Sequence, residues 1–404
     1  MNLIGSPFQL ASAVFVVLAG LFAALYAGRK LGTGTRRTVV LYGWHTLFCV
    51  AYASYAIANG ADALVYYAKA QAGELMLSVG TGAVVSLATL FVTSLNLSFL
   101  GACLLFNIFG SVGLLAMDAA LQAATADKSR LMRRFATLIV ILPSVSFWSS
   151  ALGKDSLAFL AAGLSLWAVS GARPKNTLLA FGVMIMLLVR PHIAGIMVIA
   201  LAGSLVVQRR LPFAQRVFLG LAALSATAVM VPFAMNYAGV GEDAGASELL
   251  SYVEQRQSLN TQGGSSIDIA SMSPPMQLYS YLFRPLPFEA GSIFTLAASL
   301  DNLVLLFLFV AGLLKLLKNR RILPGNRAFM WMYVLLSWLI LAITTANLGI
   351  SVRQKWMFTP MLIFLLLSAL GKRRQPRPAR HAQPSPPTPH TQPRRLPETG
   401  TTAL

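Results

Sequence analysis

The chain has 404 residues, of which 56% are hydrophobic and 11% charged, and its mean hydropathy is +0.67. A soluble domain could not cover that much apolar surface, so the composition describes a polytopic membrane protein and excludes a water-soluble enzyme. The formal charge of +19 would suggest nucleic acid in a soluble chain, but here membrane topology accounts for it and no nucleic-acid partner is expected.

In chain order, apolar runs predict membrane helices near 8–28, 38–58, 97–118, 135–151, 156–172, 176–190, 193–208, 216–236, 291–314, 327–346 and 356–371. The first run has no leader-type segment ahead of it and is expected to stay in the bilayer as a span. The segment 79–92 is apolar and contains glycine, yet as a full span it would reverse every later loop or force Arg29–Arg37 outside. It reads as re-entrant or interfacial, with a twelfth span as the alternative. Cys49 and Cys103 lie inside apolar runs, which suits packing rather than a disulfide framework or a metal site. The expected fold is all-α, a transmembrane bundle of about 11 spans over residues 1–371 with a large outer loop at 237–290. The tail 372–404, rich in proline and arginine, cannot bury a core and is expected to be disordered and cytoplasmic, its basic start near lipid headgroups.

The basic loops and the tail then fall on one side, which holds 25 of the 32 Lys and Arg and is therefore cytoplasmic. The outer face keeps Lys69, Lys154, Arg190, Arg256, Arg284, Arg353 and Lys355. Most belong to four motifs at the ends of apolar runs: Ser149-Ser150-Ala151-Leu152-Gly153-Lys154-Asp155, Arg190-Pro191-His192, Tyr281-Leu282-Phe283-Arg284-Pro285-Leu286-Pro287-Phe288-Glu289 and Arg353-Gln354-Lys355. Each alone has a plain structural explanation. Lys154 and Asp155 can form an interfacial ion pair, Arg190 can snorkel beside a proline turn, Arg284 and Glu289 can anchor a loop, and Arg353 and Lys355 can flank a span. Together they are four breaches of the positive-inside bias on one face, where charge is costly and usually kept for a task.

An anion-binding site explains them jointly. The planar fork of arginine takes phosphate oxygens bidentately and lysine adds a compact charge, which suits a diphosphate better than a neutral sugar. In a partly desolvated cleft the same charges stabilise a departing diphosphate. Asn260-Thr261-Gln262-Gly263-Gly264-Ser265-Ser266 offers amides, hydroxyls and flexible glycines to sugar hydroxyls, although a surface turn fits equally. Ser149 and Ser150 either contact sugar or satisfy backbone groups freed at the turn. Tyr281 is a stacking candidate for a sugar ring, against the alternative of an interfacial aromatic belt.

The series Phe147-Trp148-Ser149-Ser150 with Lys154-Asp155, Arg190-Pro191-His192, Gly263-Gly264-Ser265, Phe283-Arg284-Pro285-Leu286-Pro287-Phe288-Glu289 and Asn347 to Arg353 resembles the bacterial Wzy-like membrane proteins, over roughly Pro143 to Pro360. These are repeat-unit polymerases of surface and secreted polysaccharides. The resemblance implies a glycosyltransferase of GT-C-like arrangement in the bacterial inner membrane, active at the periplasmic face. It would transfer a growing glycan from an undecaprenyl diphosphate carrier onto another lipid-linked repeat unit, as in exopolysaccharide or O-antigen biosynthesis.

Carried over, Arg190, Arg284 and Arg353 hold the diphosphate, with Lys154 and Lys355 in support. Glu289 is the first choice for the base that takes the acceptor proton, followed by His192 and Asp155. Implied partners are the undecaprenyl-diphosphate-linked oligosaccharide and membrane lipids, with a chain-length regulator as a further candidate. No cofactor is expected. Nor is a metal site, because Asp62 and Glu74 in the first outer loop are not the paired acids of metal-dependent relatives. The alternatives are a polyprenyl-phosphate-sugar GT-C glycosyltransferase using a metal and acids such as Asp62, an O-antigen ligase-like transferase, and a flippase of lipid-linked glycans.

Overall fold

The computed structural model describes residues 2–207, 266–269, 271–318 and 325–371, with single helical positions between 214 and 228. Most of the span expected at 216–236, the outer loop as far as Ser265 with Asn260, Gly263 and Gly264, and the tail 372–404 lie outside the described residues. What is described is all-helical, the one β-bridge being an isolated contact between Ser266 and Asn347.

The first helices follow local signals closely. α1 (Pro7–Leu31) starts where the Ser6 side chain accepts from the Gln9 amide, has Pro7 in its first turn and ends at Gly32, whose φ of 78° suits a residue without a side chain. α2 (Thr35–Asn59) ends at Gly60, also at positive φ, and α3 (Asp62–Gln71) leaves it at 91°. α4 (Thr81–Leu95) closes on Asn96, and α5 (Phe99–Thr125) opens on a Ser98 cap. α6 (Arg130–Val140) and α7 (Pro143–Ser149) divide just before Pro143, which has no amide hydrogen to continue the ladder. α8 (Lys154–Ser170), α9 (Asn176–Val189) and α10 (Pro191–Val207) complete the first part.

After the gap come α11 (Pro274–Phe283), a 3-10 turn at Pro287–Glu289, α12 (Ile293–Lys318) and α13 (Arg327–Thr344). α14 (Leu348–Gln354) passes through a second 3-10 turn, Lys355–Met357, into α15 (Thr359–Ala369).

Of the eleven expected spans, the described residues show a part. Among the described residues, five stretches are long and apolar enough to cross a membrane: α1, α5, the run Arg130–Ser149, α12 and α13. The number reaches seven if the bent pairs α2–α3 and α14–α15 each count as one. α9 has 14 residues and at 1.5 Å per residue reaches about 21 Å, short of a hydrocarbon core of about 30 Å, while α10 is described as far as Val207. At 79–92, α4 has 15 residues and reaches about 22 Å.

α5 packs on α1, α2 and α8 at the centre. Its approach to α8 needs small residues, since a Cβ on Gly163 would lie 2.3 Å from the Gly113 carbonyl oxygen. α8 and α15 are apolar and buried all round, as core helices are. α1 and α12 expose Phe15, Phe22, Phe307 and Leu317, apolar faces that suit lipid and would be untenable in water. The chain is thus a multi-pass helical membrane protein.

Candidate functional site

Four interruptions of helix meet at one end of α2. They are the α2–α3 bend, the turn between α7 and α8, the break between α9 and α10, and α14. Where they converge lies a cavity of about 220 Å³, lined by Asp62, Lys154, Asp155, Arg190, Arg353 and Gln354, with Tyr52, Tyr66 and Trp148 among its walls. Residues 62, 154–155, 190 and 353 are far apart in sequence, and each comes from the end of an apolar run.

The charges form a connected set. Arg190 Nη2 donates to Asp155 Oδ1 at 2.5 Å. Arg353 Nε lies 3.5 Å from Asp155 Oδ2, while its Nη1 lies 3.2 Å from Asp62 Oδ2. Lys154 faces the same space with no ion-pair partner within 4.0 Å among the described residues. Three cations therefore stand against two carboxylates, and the Nε of Arg190 is buried without a hydrogen bond.

Position in the helix separates the two residues that start α8: Asp155 sits favourably at the positive end of the dipole and Lys154 unfavourably. Burial pushes the Asp155 carboxyl up, but the charges of Arg190 and then Arg353 outweigh it and hold the group below the usual aspartate value. Burial, followed by repulsion from Arg190, pushes Lys154 down to about 8. The cavity is an electropositive pocket whose guanidinium groups are paired with the carboxylates of Asp155 and Asp62.

The other residues singled out from sequence lie elsewhere. Arg284 and Glu289 pair with one another: Nε donates to Oε1 at 2.7 Å, and the Leu286 amide donates to Oε2 at 2.7 Å. Partial burial raises the Glu289 carboxyl, and the hydrogen bonds from Arg284 and Leu286 with the Arg284 charge lower it further, leaving it below the usual glutamate value. Lys355 is buried, donating to the Leu282 carbonyl at 3.2 Å and to Asn302 Oδ1. Asn302 in turn donates to the Pro285 carbonyl at 2.9 Å, so this lysine braces the 282–289 loop and does not line the cavity.

Ser149 and Ser150 are also buried. Ser149 Oγ bonds to His45 Nε2 at 3.0 Å and donates to the Val145 carbonyl at 2.5 Å, and Ser150 Oγ donates to the Phe147 carbonyl. Tyr281 is buried with its hydroxyl unpartnered, within electrostatic reach of Arg190 and Asp155. His192 is half-buried in the first turn of α10, next to Arg190 in sequence but not among the cavity's lining residues.

Sequence reasoning placed Asp62 only as a metal-site acid, passed over Tyr52 and Tyr66, and quoted Gln354 within its basic motif without giving it a role. For Asp62 a signal was present: a charge just past the 38–58 apolar run, after the Gly60 break, by the same criterion that picked out Lys154. Among the described residues no group of three or more His, Cys, Asp or Glu gathers as a metal site.

Comparison with protein-family models, with curated proteins and with solved structures gives no significant match. The class rests on fold and site together: a polytopic helical membrane protein with an ion-paired, partly enclosed cationic cavity at one end of its bundle.

Proposed function

We propose that this chain is a polysaccharide polymerase that moves a glycan from an undecaprenyl diphosphate carrier onto a lipid-linked repeat unit. The supporting observation is the convergence of Lys154, Arg190 and Arg353, the cations that defy the topological bias, on one cavity with Asp155 between two of them. The inner-membrane location, the periplasmic face for this cavity, a GT-C-like arrangement and a span count near eleven belong to the same reading.

In this mechanism the donor diphosphate takes the guanidinium groups of Arg190 and Arg353, with Lys154 beside them. Asp155 thereby loses the partners that hold its pKa down and becomes a better base. The acceptor hydroxyl attacks the anomeric carbon, the bond from that carbon to the diphosphate oxygen breaks, the oxygen leaves with the bonding pair, and Asp155 receives the hydroxyl proton. Asp155 is favoured over Glu289, both of whose oxygens are already bound by Arg284 and Leu286, while Arg284 and Lys355 brace the neighbouring loop.

Purified protein in liposomes, supplied with an undecaprenyl-diphosphate-linked repeat unit, tests the reading. Size-resolved glycan should show a ladder on the carrier with release of undecaprenyl diphosphate, and no ladder would refute it. One observation favours a second reading: Asp62 and Asp155 approach Arg353 from two sides, as acids of a metal-dependent glycosyltransferase with a monophosphate donor would share a cavity. Loss of activity with a chelator, restored by a divalent cation, would select that alternative.

A further inference from the structure

At the end of α2 remote from the cavity, two clefts adjoin. One, of about 270 Å³, is lined by Arg37, Gln122, Arg130, Arg133, Arg134 and Thr137. The other, of about 680 Å³, runs along Val40, Leu41 and Ile141, with Arg36 at its edge. Arg37 and Thr137 line both, so the polar cleft and the apolar one are neighbours sharing that pair as a common wall. No carboxylate lines either.

The arginines are not equivalent. Arg37 is already neutralised, because its Nε and Nη2 each donate to the buried Asp118 at 2.6 Å, and Nη2 also reaches Thr137 Oγ1 at 3.0 Å. Arg130, Arg133 and Arg134 have no carboxylate within 4.0 Å among the described residues. α6 carries them in the first two turns of the membrane-length run Arg130–Ser149, beside the exposed Leu131, where arginine side chains reach headgroup level. Topological bias explains why these arginines lie on this side. It does not explain why their cleft adjoins an apolar one.

We infer that the double cleft binds an anionic phospholipid, its phosphate on Arg130, Arg133 and Arg134 and an acyl chain along Val40, Leu41 and Ile141. Charge complementarity selects an anionic headgroup, and basic pockets between membrane helices suit phosphate-bearing lipids. Arg37 remains the hinge of the two halves, fixed by Asp118. The inference does not rest on the proposed polymerase activity.

Native mass spectrometry of the full-length protein in detergent tests it, with phosphatidylglycerol, phosphatidylcholine and inorganic phosphate as probes. Phosphatidylglycerol should be retained about tenfold more tightly than phosphatidylcholine, and the triple variant Arg130→Gln/Arg133→Gln/Arg134→Gln should lose that preference. Val40→Trp, which fills the apolar cleft and leaves the arginines in place, should weaken phosphatidylglycerol at least as strongly as it weakens phosphate. Equal retention of the two lipids, or undiminished phosphatidylglycerol binding in both variants, would overturn the inference. Inorganic phosphate binding as tightly as phosphatidylglycerol would also overturn it, since the site would then be one for a free anion.

Discussion

Asp155 accepts the Arg190 guanidinium at 2.5 Å across two helix breaks that lie 35 residues apart. On the proposed function, a carboxylate that pairs with the groups holding phosphate serves as both competitor and base. Asp155→Asn should therefore move two observables in opposite directions. Inorganic phosphate or diphosphate should bind several-fold more tightly, because the guanidinium groups are freed, while polymer formation should fall by about 10² to 10⁴. Isothermal titration and a glycan-ladder assay on the same preparation would show the split. A parallel fall in both would point to simple damage of the cavity.

Lys154 sets a pH limit. Its folded-state pKa lies near 8, below the ordinary lysine value, so it loses its proton as pH rises through about 8. Diphosphate affinity of the purified protein should decline over that range, by about threefold to tenfold between pH 7 and 9, and Lys154→Arg should flatten the profile. A bound anion favours the charged lysine, so saturating diphosphate should shift the step upward.

Arg284 and Glu289 should behave as one unit. Each single variant, Arg284→Ala or Glu289→Gln, opens the loop that ends at Leu286, and the double variant should cost little more than either alone. Their losses in polymer yield should be smaller than that of Asp155→Asn. If Glu289→Gln matches Asp155→Asn in severity with phosphate affinity unchanged, the base assignment passes to Glu289.

Lys355→Met should weaken the fold without emptying the site. It strands the Leu282 carbonyl and Asn302 Oδ1 in a buried setting, at a cost of about 1 to 3 kcal/mol, read as a lowered melting temperature in detergent. Phosphate affinity in the folded fraction should stay within about twofold, since Lys355 does not line the cavity.

Much of the cavity is legible in one dimension, because charges at the ends of apolar runs are conspicuous where most Lys and Arg lie on the other side. Lys154, Asp155, Arg190 and Arg353 stand out for that reason. Asp62 meets Arg353 from nearly three hundred residues away, a pairing that no spacing rule contains. Arg353 and Lys355 look alike in sequence, yet residues two apart on a helical turn do not share a face, and one reaches the cavity while the other is buried toward Asn302. The all-helical class was plain from composition. The span count was legible in part: five to seven crossings stand among the described residues, and the 14 residues of α9 are short for a crossing by rise per residue. The break itself, at Arg190–Pro191, was visible.

The most direct measurement is the size-resolved profile of lipid-linked glycans in cells lacking this chain, set beside cells carrying Arg190→Ala at normal protein level. Polymerase activity centred on this cavity predicts complete single repeat units on the carrier, facing the periplasm, with long polymer absent in the first strain and reduced by about 10² or more in the second. Long polymer of normal length in the Arg190→Ala strain would contradict that centre. Single units trapped at the cytoplasmic face, or units lacking a sugar, would contradict the polymerase itself.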